Sequence, residues 1–345
     1  TGMGRGALAA NTTGGQNTAI GYQALIANTT ASDNTATGFN ALYTNTTGSL
    51  NLANGWRALY YNTTGANNTA VGFKSLYSNT TGSESCAVGY RALSTQTGVG
   101  EVNNALGGDA LRLTTTGQAN NAMGHSALEN NTTASYNTAM GHRSMTSNST
   151  GATNTAIGAY ALQANTTASE NTAVGEQALS ANTTGSGNCG LGRQALNNNT
   201  TASNNTGMGL YALYANSTGS DNTAFGKSAL LANTTAGSNA AFGANTLKAC
   251  TTGEANASFG AYASFSNTTG TCNTILGFQT GYYITNGSGN IVLGSQTAAG
   301  QYSPVFNVVG EDNRIVMGTT TATNAYIKVA WTVTSDQRDK ADITD

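Results

Sequence analysis

Charge is what this sequence has least of. Acidic and basic residues make up 8% of 345 positions and leave a net charge of −2. Phosphate recognition needs a Lys/Arg stripe running beside aromatics; none is present, so nucleic acid is excluded as a partner. Proline occurs once, which argues against the proline-rich type of disorder. No run of 18 apolar residues exists, so no membrane-spanning helix is expected. The opening residues, TGMGRGALAA, have neither a start methionine nor a signal-peptide core, and the chain reads as a fragment of something longer.

What is abundant is small and polar. The 44 glycines are spread evenly among Asn, Thr, Ala and Ser instead of gathering in linkers. They keep a beat: Gly4, Gly21, Gly38, Gly55, Gly72 and Gly89, then, after a one-residue insertion near TGVGEV, Gly107 and so on to Gly294. That is 18 copies of a 17-residue unit such as GYQALIANTTASDNTAT. A fixed period of this length marks a solenoid, whose units bury apolar side chains only by stacking on their neighbours.

Counting from the glycine as position 1, position 5 is Leu in 14 of the first 15 copies, with Met145 the exception. Position 17 is mostly aliphatic or Phe, as in Ile20, Val71, Met140, Ile157 and Phe225. These two columns are expected to form the packed spine. Position 14 is Asn in 17 of 18 copies, among them Asn17, Asn34, Asn51, Asn68, Asn171 and Asn307. Identical amides one rung apart can bond along a stack, so this column is read as a structural ladder. The N-T-A-V/I-G segment alternates as a strand, with Asn, Ala and Gly on a small face suited to close contact with another backbone. Positions 2 to 7 fit a second short strand or one helical turn equally well. NTTG and TGSxN are turns.

The fold class is therefore all-β, a parallel β-solenoid with 17-residue rungs over residues 1–318, a connector over 319–334 and a different segment from 335. With rungs ~4.8 Å apart, 18 of them make a rod on the order of 85 Å long. One spine encloses a thin core, so a homotrimer is expected, with the small-residue face as its contact.

Candidate sites are few. Thirteen copies carry Asn at position 8 in an N-x-T/S pattern: Asn11, Asn28, Asn45, Asn62, Asn79, Asn131, Asn148, Asn165, Asn182, Asn199, Asn216, Asn233 and Asn267. Each is either a glycosylation acceptor on an outward turn or plain turn chemistry. Position 2 carries Tyr22, Phe39, Trp56, Phe73 and Tyr90, which either stack on glycans or cover the edge of the roll. His125 and His142 share that column, but no carboxylate or cysteine joins them, so no metal and no cofactor is expected. Cys86 and Cys189, six rungs apart, read as small core residues, while Cys250 and Cys272 on neighbouring copies are candidates for a disulfide. Carboxylates are scattered over unrelated columns, so no hydrolase site emerges within one protomer.

The NTAIG…AL rhythm over about residues 4–318 resembles the head repeats of YadA-type trimeric autotransporter adhesins and, more closely, repeats of bacteriophage tail fibres. That resemblance implies a left-handed parallel β-roll assembled as a homotrimer. The terminal TSDQRDKADITD is similar to the Ser-Asp-x-Arg-x-Lys-x-Asp-Ile start of the self-cleaving intramolecular chaperone domain that ends phage tail spikes and fibres. Carried over, Ser335 is the nucleophile attacking the carbonyl of Thr334 and Lys340 the general base that takes the hydroxyl proton, with Asp336 and Arg338 in structural roles. Residues 335–345 match only the start of that domain, so the shaft is expected to be structural and not an enzyme, with self-cleavage expected only where the complete domain is present. The resemblance implies an extracellular fibre of virion-tail or cell-surface type, its partners further copies of itself and a host receptor, a glycan among the candidates. The alternatives are a homopolymeric, glycosylated surface filament and a polysaccharide-depolymerising tailspike.

Overall fold

The computed structural model describes residues 1–98, 102–294 and 308–321. These residues form one all-β parallel solenoid of nineteen short strands, from β1 (Gly2–Met3) and β2 (Thr18–Ile20) to β18 (Ile291–Leu293) and β19 (Ile315–Met317). Every strand pairs with the next in the chain, so one rung lies directly on another: Thr18 faces Thr35, Ala19 faces Ala36 and Ile20 faces Thr37. The 17-residue offset absorbs the inserted residue between Cys86 and Asn104 without losing register. After β18 the offset lengthens, and Ile291 pairs with Ile315. The Arg314 backbone N–H donates to the Asn290 Oδ1 at 2.9 Å, as the next residue of the position-14 column does in other rungs. Asn307 is outside the described residues.

Positions 2 to 7 are neither strand nor helix. Positions 3, 5 and 13 take left-handed backbone angles, as at Gln23 (φ 53°), Leu25 (φ 51°) and Asp33 (φ 59°). Each such residue turns its N–H along the rod: Leu25 donates forward to the carbonyl of Ala41 at 3.0 Å, and Gln23 backward to that of Arg5 at 2.9 Å. The kinks cost conformational energy locally but let every side of the rung bond to its neighbours. Position 1 is glycine for a harder reason. At Gly158 (φ 133°) a Cβ would sit 2.5 Å from the carbonyl oxygen of Gly175 in the next rung, a clash that no L side chain survives.

The interior differs from the expected spine. Leu at position 5 is buried from Leu25 to Leu247, and Ala at positions 4 and 16, such as Ala24 and Ala19, closes around it. Position 17 points outward: Ile20 is 40% exposed and Leu106 46%. Strand alternation forces this, because Asn at 14 and Ala at 16 share the inward side and their neighbours must face away. The expected small contact face is thus the core wall, and the aliphatic column is surface. A tube this thin accommodates one large side chain per rung, which contributes about 1.5–3 kcal/mol when fully buried.

Near the C-terminal end the large residue changes column. Ser264 and Gly281 replace Leu at position 5, while Ile275 and Val292 replace Ala at position 16, and Ile284 fills position 8. A Cβ on Gly281 would lie 2.9 Å from the Ile284 Cδ1 and 3.3 Å from the Ile275 Cδ1, so the volumes are exchanged and not added.

Candidate functional site

Two Asn columns run inside the rod. At position 14 the side-chain oxygen accepts the backbone N–H of the same position one rung on, as from Asn34 to Asn17 at 3.0 Å and from Asn188 to Asn171 at 2.9 Å. Its amide nitrogen reaches the position-11 carbonyl of the next rung, from Asn17 to Ala31 at 2.7 Å and from Asn51 to Gly65 at 2.9 Å. At position 8 amide bonds amide: Asn28 donates to Asn11 at 2.7 Å, Asn45 to Asn28 at 3.1 Å and Asn62 to Asn45 at 2.8 Å. The same pattern runs from Asn148 up to Asn233.

This corrects the outward placement of the N-x-T/S amides. From Asn28 to Asn267 all twelve of them have no exposed area, and Asn11 at the end of the stack is half-buried. A glycan on any of the twelve has no room in the folded rod, because the amide nitrogen already donates to a carbonyl three residues on, as from Asn62 to Gly65 at 2.9 Å. The threonines after them also serve the stack, with Thr63 donating its hydroxyl to the Thr80 carbonyl at 2.9 Å.

One rung shows how strictly the two columns are coupled. Ser85 interrupts the position-14 amides and, in the copy that follows, Gln96 replaces Asn at position 8. The longer Gln96 side chain spans the gap, its Nε2 donating to the Ser85 Oγ at 3.0 Å and its Oε1 accepting from Asn103 at 3.1 Å.

Outside, position 17 makes an apolar stripe along the strand face. Ile157, Leu191, Phe259 and Leu276 are 38% to 53% exposed, and Phe225, Phe242 and Phe259 stack at 5.0 Å spacing. Between this column and the side chains at position 15 lies a shallow, almost wholly apolar groove of about 210 Å³, bordered by Leu106, Met123 and Met140.

The position-2 rings form a continuous stack, with centroids 5.2 Å apart for Tyr22 and Phe39, 4.8 Å for Trp56 and Phe73, and 5.3 Å for Phe73 and Tyr90. Their faces are occupied by one another and their edges reach solvent. A second stack at position 6, Tyr43, Tyr60 and Tyr77, went unread in the sequence although the same 17-residue spacing marks it. Arg57 lies over Trp56 and Tyr60, and Lys74 over Trp56, Phe73 and Tyr77. His125 and His142 stack at 5.7 Å. Among the described residues no group of three metal-ligating side chains occurs.

The candidate disulfide is absent. Cys250 is buried in the position-8 column, its Sγ donating to the Gly253 carbonyl at 3.3 Å, whereas Cys272 stands exposed at a left-handed position 13 with φ 56°. One thiol points into the tube and the other away from it. Burial pushes the Cys250 thiol up to about 11. Cys86 and Cys189 are half-buried on the outward position 15 and are not core residues.

Thr334, Ser335 and Lys340 lie outside the described residues. Among those described, no helix is long and apolar enough to cross a membrane. No protein-family model and no curated protein matches the chain.

Proposed function

We propose that the chain is the structural shaft of an extracellular homotrimeric fibre, of phage-tail or surface-adhesin type, used for attachment to a host or surface. The observation that carries this reading is the exposed position-17 stripe. Over a rod on the order of 85 Å a stripe ~10 Å wide amounts to about 800 Å² per copy, the size of a stable protein interface. Copies of the same chain are the natural cover, because only they repeat at the same rung spacing along its whole length. The interior supplies stiffness: ladders of amides and one leucine per rung leave few ways to bend. In this reading the terminal segment is the start of a folding chaperone, with Ser335 cutting after Thr334 and Lys340 as its base.

The test is particle size and shape. Light scattering and negative-stain imaging of the full chain are expected to give trimers of fixed length. A double substitution on the stripe, Ile157→Asp with Leu191→Asp, is expected to yield monomers with unchanged β circular dichroism. Monomeric wild-type protein would overturn the trimer, and filaments of indefinite length would overturn the fixed fibre.

A further inference from the structure

Both aromatic columns stop abruptly, one rung apart. At position 6 the series Tyr43, Tyr60, Tyr77 is followed by Ser94 and then Arg112; at position 2 Tyr90 is followed by Gly108. Tyr77 stacks on Tyr60 at 5.5 Å and meets the edge of Tyr61, but among the described residues no ring covers its face toward Ser94. The step opens a cleft of about 450 Å³, within the ~300–1,000 Å³ usual for small-molecule sites. Tyr77 and Tyr90, the hydroxyl residues Ser94 and Thr95, and the cations Lys74 and Arg91 are among the residues that line it.

The charged side chains that line the cleft are both cations, and one carboxylate, Asp109, stands beside Arg91. Lys74 Nζ lies 5.0 Å from the Tyr77 ring centre and pairs with no carboxylate among the described residues. Arg91 is paired with Asp109 at 3.9 Å, a carboxylate that Arg112 also approaches at 3.5 Å, so Lys74 is the unpaired cation of the cleft. Arg112, two rungs above Tyr77, is turned away to Glu129 at 2.6 Å and leaves the cleft open. A phenol face free of a second ring holds the C–H face of a saturated ring, and the unpaired Lys74 ammonium seeks an anion; the Ser94 and Thr95 hydroxyls already donate to the Arg112 carbonyl, at 3.4 and 2.7 Å, and are left to accept from a sugar hydroxyl.

We propose that this cleft binds an acidic monosaccharide unit of a polysaccharide, its pyranose ring on Tyr77 and its carboxylate at Lys74. A nucleic-acid strand fits less well: it needs a row of open stacking faces and a track of cations, and here a single face is open. The cleft is lined from positions 2 to 7, not from the stripe, so the proposal stands apart from how copies associate.

The experiment uses the full chain on an array of uronate- and sialate-bearing oligosaccharides, their neutral counterparts and a single-stranded oligothymidylate, with calorimetry on the strongest acidic sugar. Acidic sugars are expected to bind at least tenfold better than neutral ones. Tyr77→Ala should weaken that binding about tenfold and Lys74→Gln about fivefold, the losses expected of a stacking face and of one charge partner. Tyr136→Ala, on an isolated exposed ring elsewhere, should change nothing. If Tyr77→Ala fails to keep the wild-type circular dichroism, Lys74→Gln decides. No acidic-sugar binding, binding untouched by the cleft variants, or preference for the oligothymidylate would overturn the proposal.

Discussion

Cys250 shows how much a single side chain weighs in a ladder. It interrupts the position-8 amides after Asn233, whose buried Oδ1 is left without a donor, an omission that costs about 1–3 kcal/mol. Cys250→Asn should restore the bond to Asn233 and replace the thiol's bond to Gly253 by an amide's, and raise the urea midpoint by the equivalent of about 1–2 kcal/mol. The two proteins should also differ in pH dependence. The Cys250 thiol titrates at about 11 in the fold, above its ordinary 9, so the folded state holds the proton more tightly. Its contribution is complete below pH 9 and lost as pH rises through 11, a fall of about 2–3 kcal/mol. That fall should be missing from Cys250→Asn when unfolding is followed between those pH values; equal alkaline losses in the two proteins would contradict the buried placement of the thiol.

Within one rung the three left-handed positions set the shape of the turn. Gly, Asn and Asp meet that demand cheaply, and Gly187, Asn204 and Asp221 occupy position 13 in three consecutive rungs. Thr153, at the same position with φ 57°, is β-branched and exposed, a combination strained by roughly 1–2 kcal/mol. Thr153→Asn is therefore expected to stabilise the rod by about 1 kcal/mol, read from its thermal midpoint. A lower midpoint would mean that the hydroxyl bond from Thr153 to the Ala152 carbonyl, at 2.6 Å, outweighs the backbone strain.

For the molecule as a whole, the governing quantity is the number 17. Removing Thr155 to Asn171 joins Asn154 to Thr172 and leaves every column intact. This variant should fold with wild-type circular dichroism per residue and a maximum dimension shorter by ~4.8 Å in solution scattering. Removing one residue fewer, Thr155 to Glu170, throws each inward amide and alanine after the junction out of phase. Loss of soluble, folded protein is expected, and a well-folded product would refute the column assignment. The junction at Cys86 and Asn104 is consistent with this, since the strands on either side of its extra residue stay in register.

The repeat, its parallel stacking, the position-14 ladder and the buried leucine column could all be read along the chain, because a period is a property of order and needs no coordinates. The amphipathic sense of the strand could not. Val, Ile and Met at position 17 look like core in a sequence, and Asn at position 8 looks like a turn facing water. The closed rung reverses both: its bore is too narrow for a second large column, and an amide is buried without loss when copies above, below and beside it accept and donate its hydrogen bonds. Likewise, Tyr77 and Ser94 are 17 residues apart on paper, and their stacking across neighbouring rungs makes the step between them a cleft.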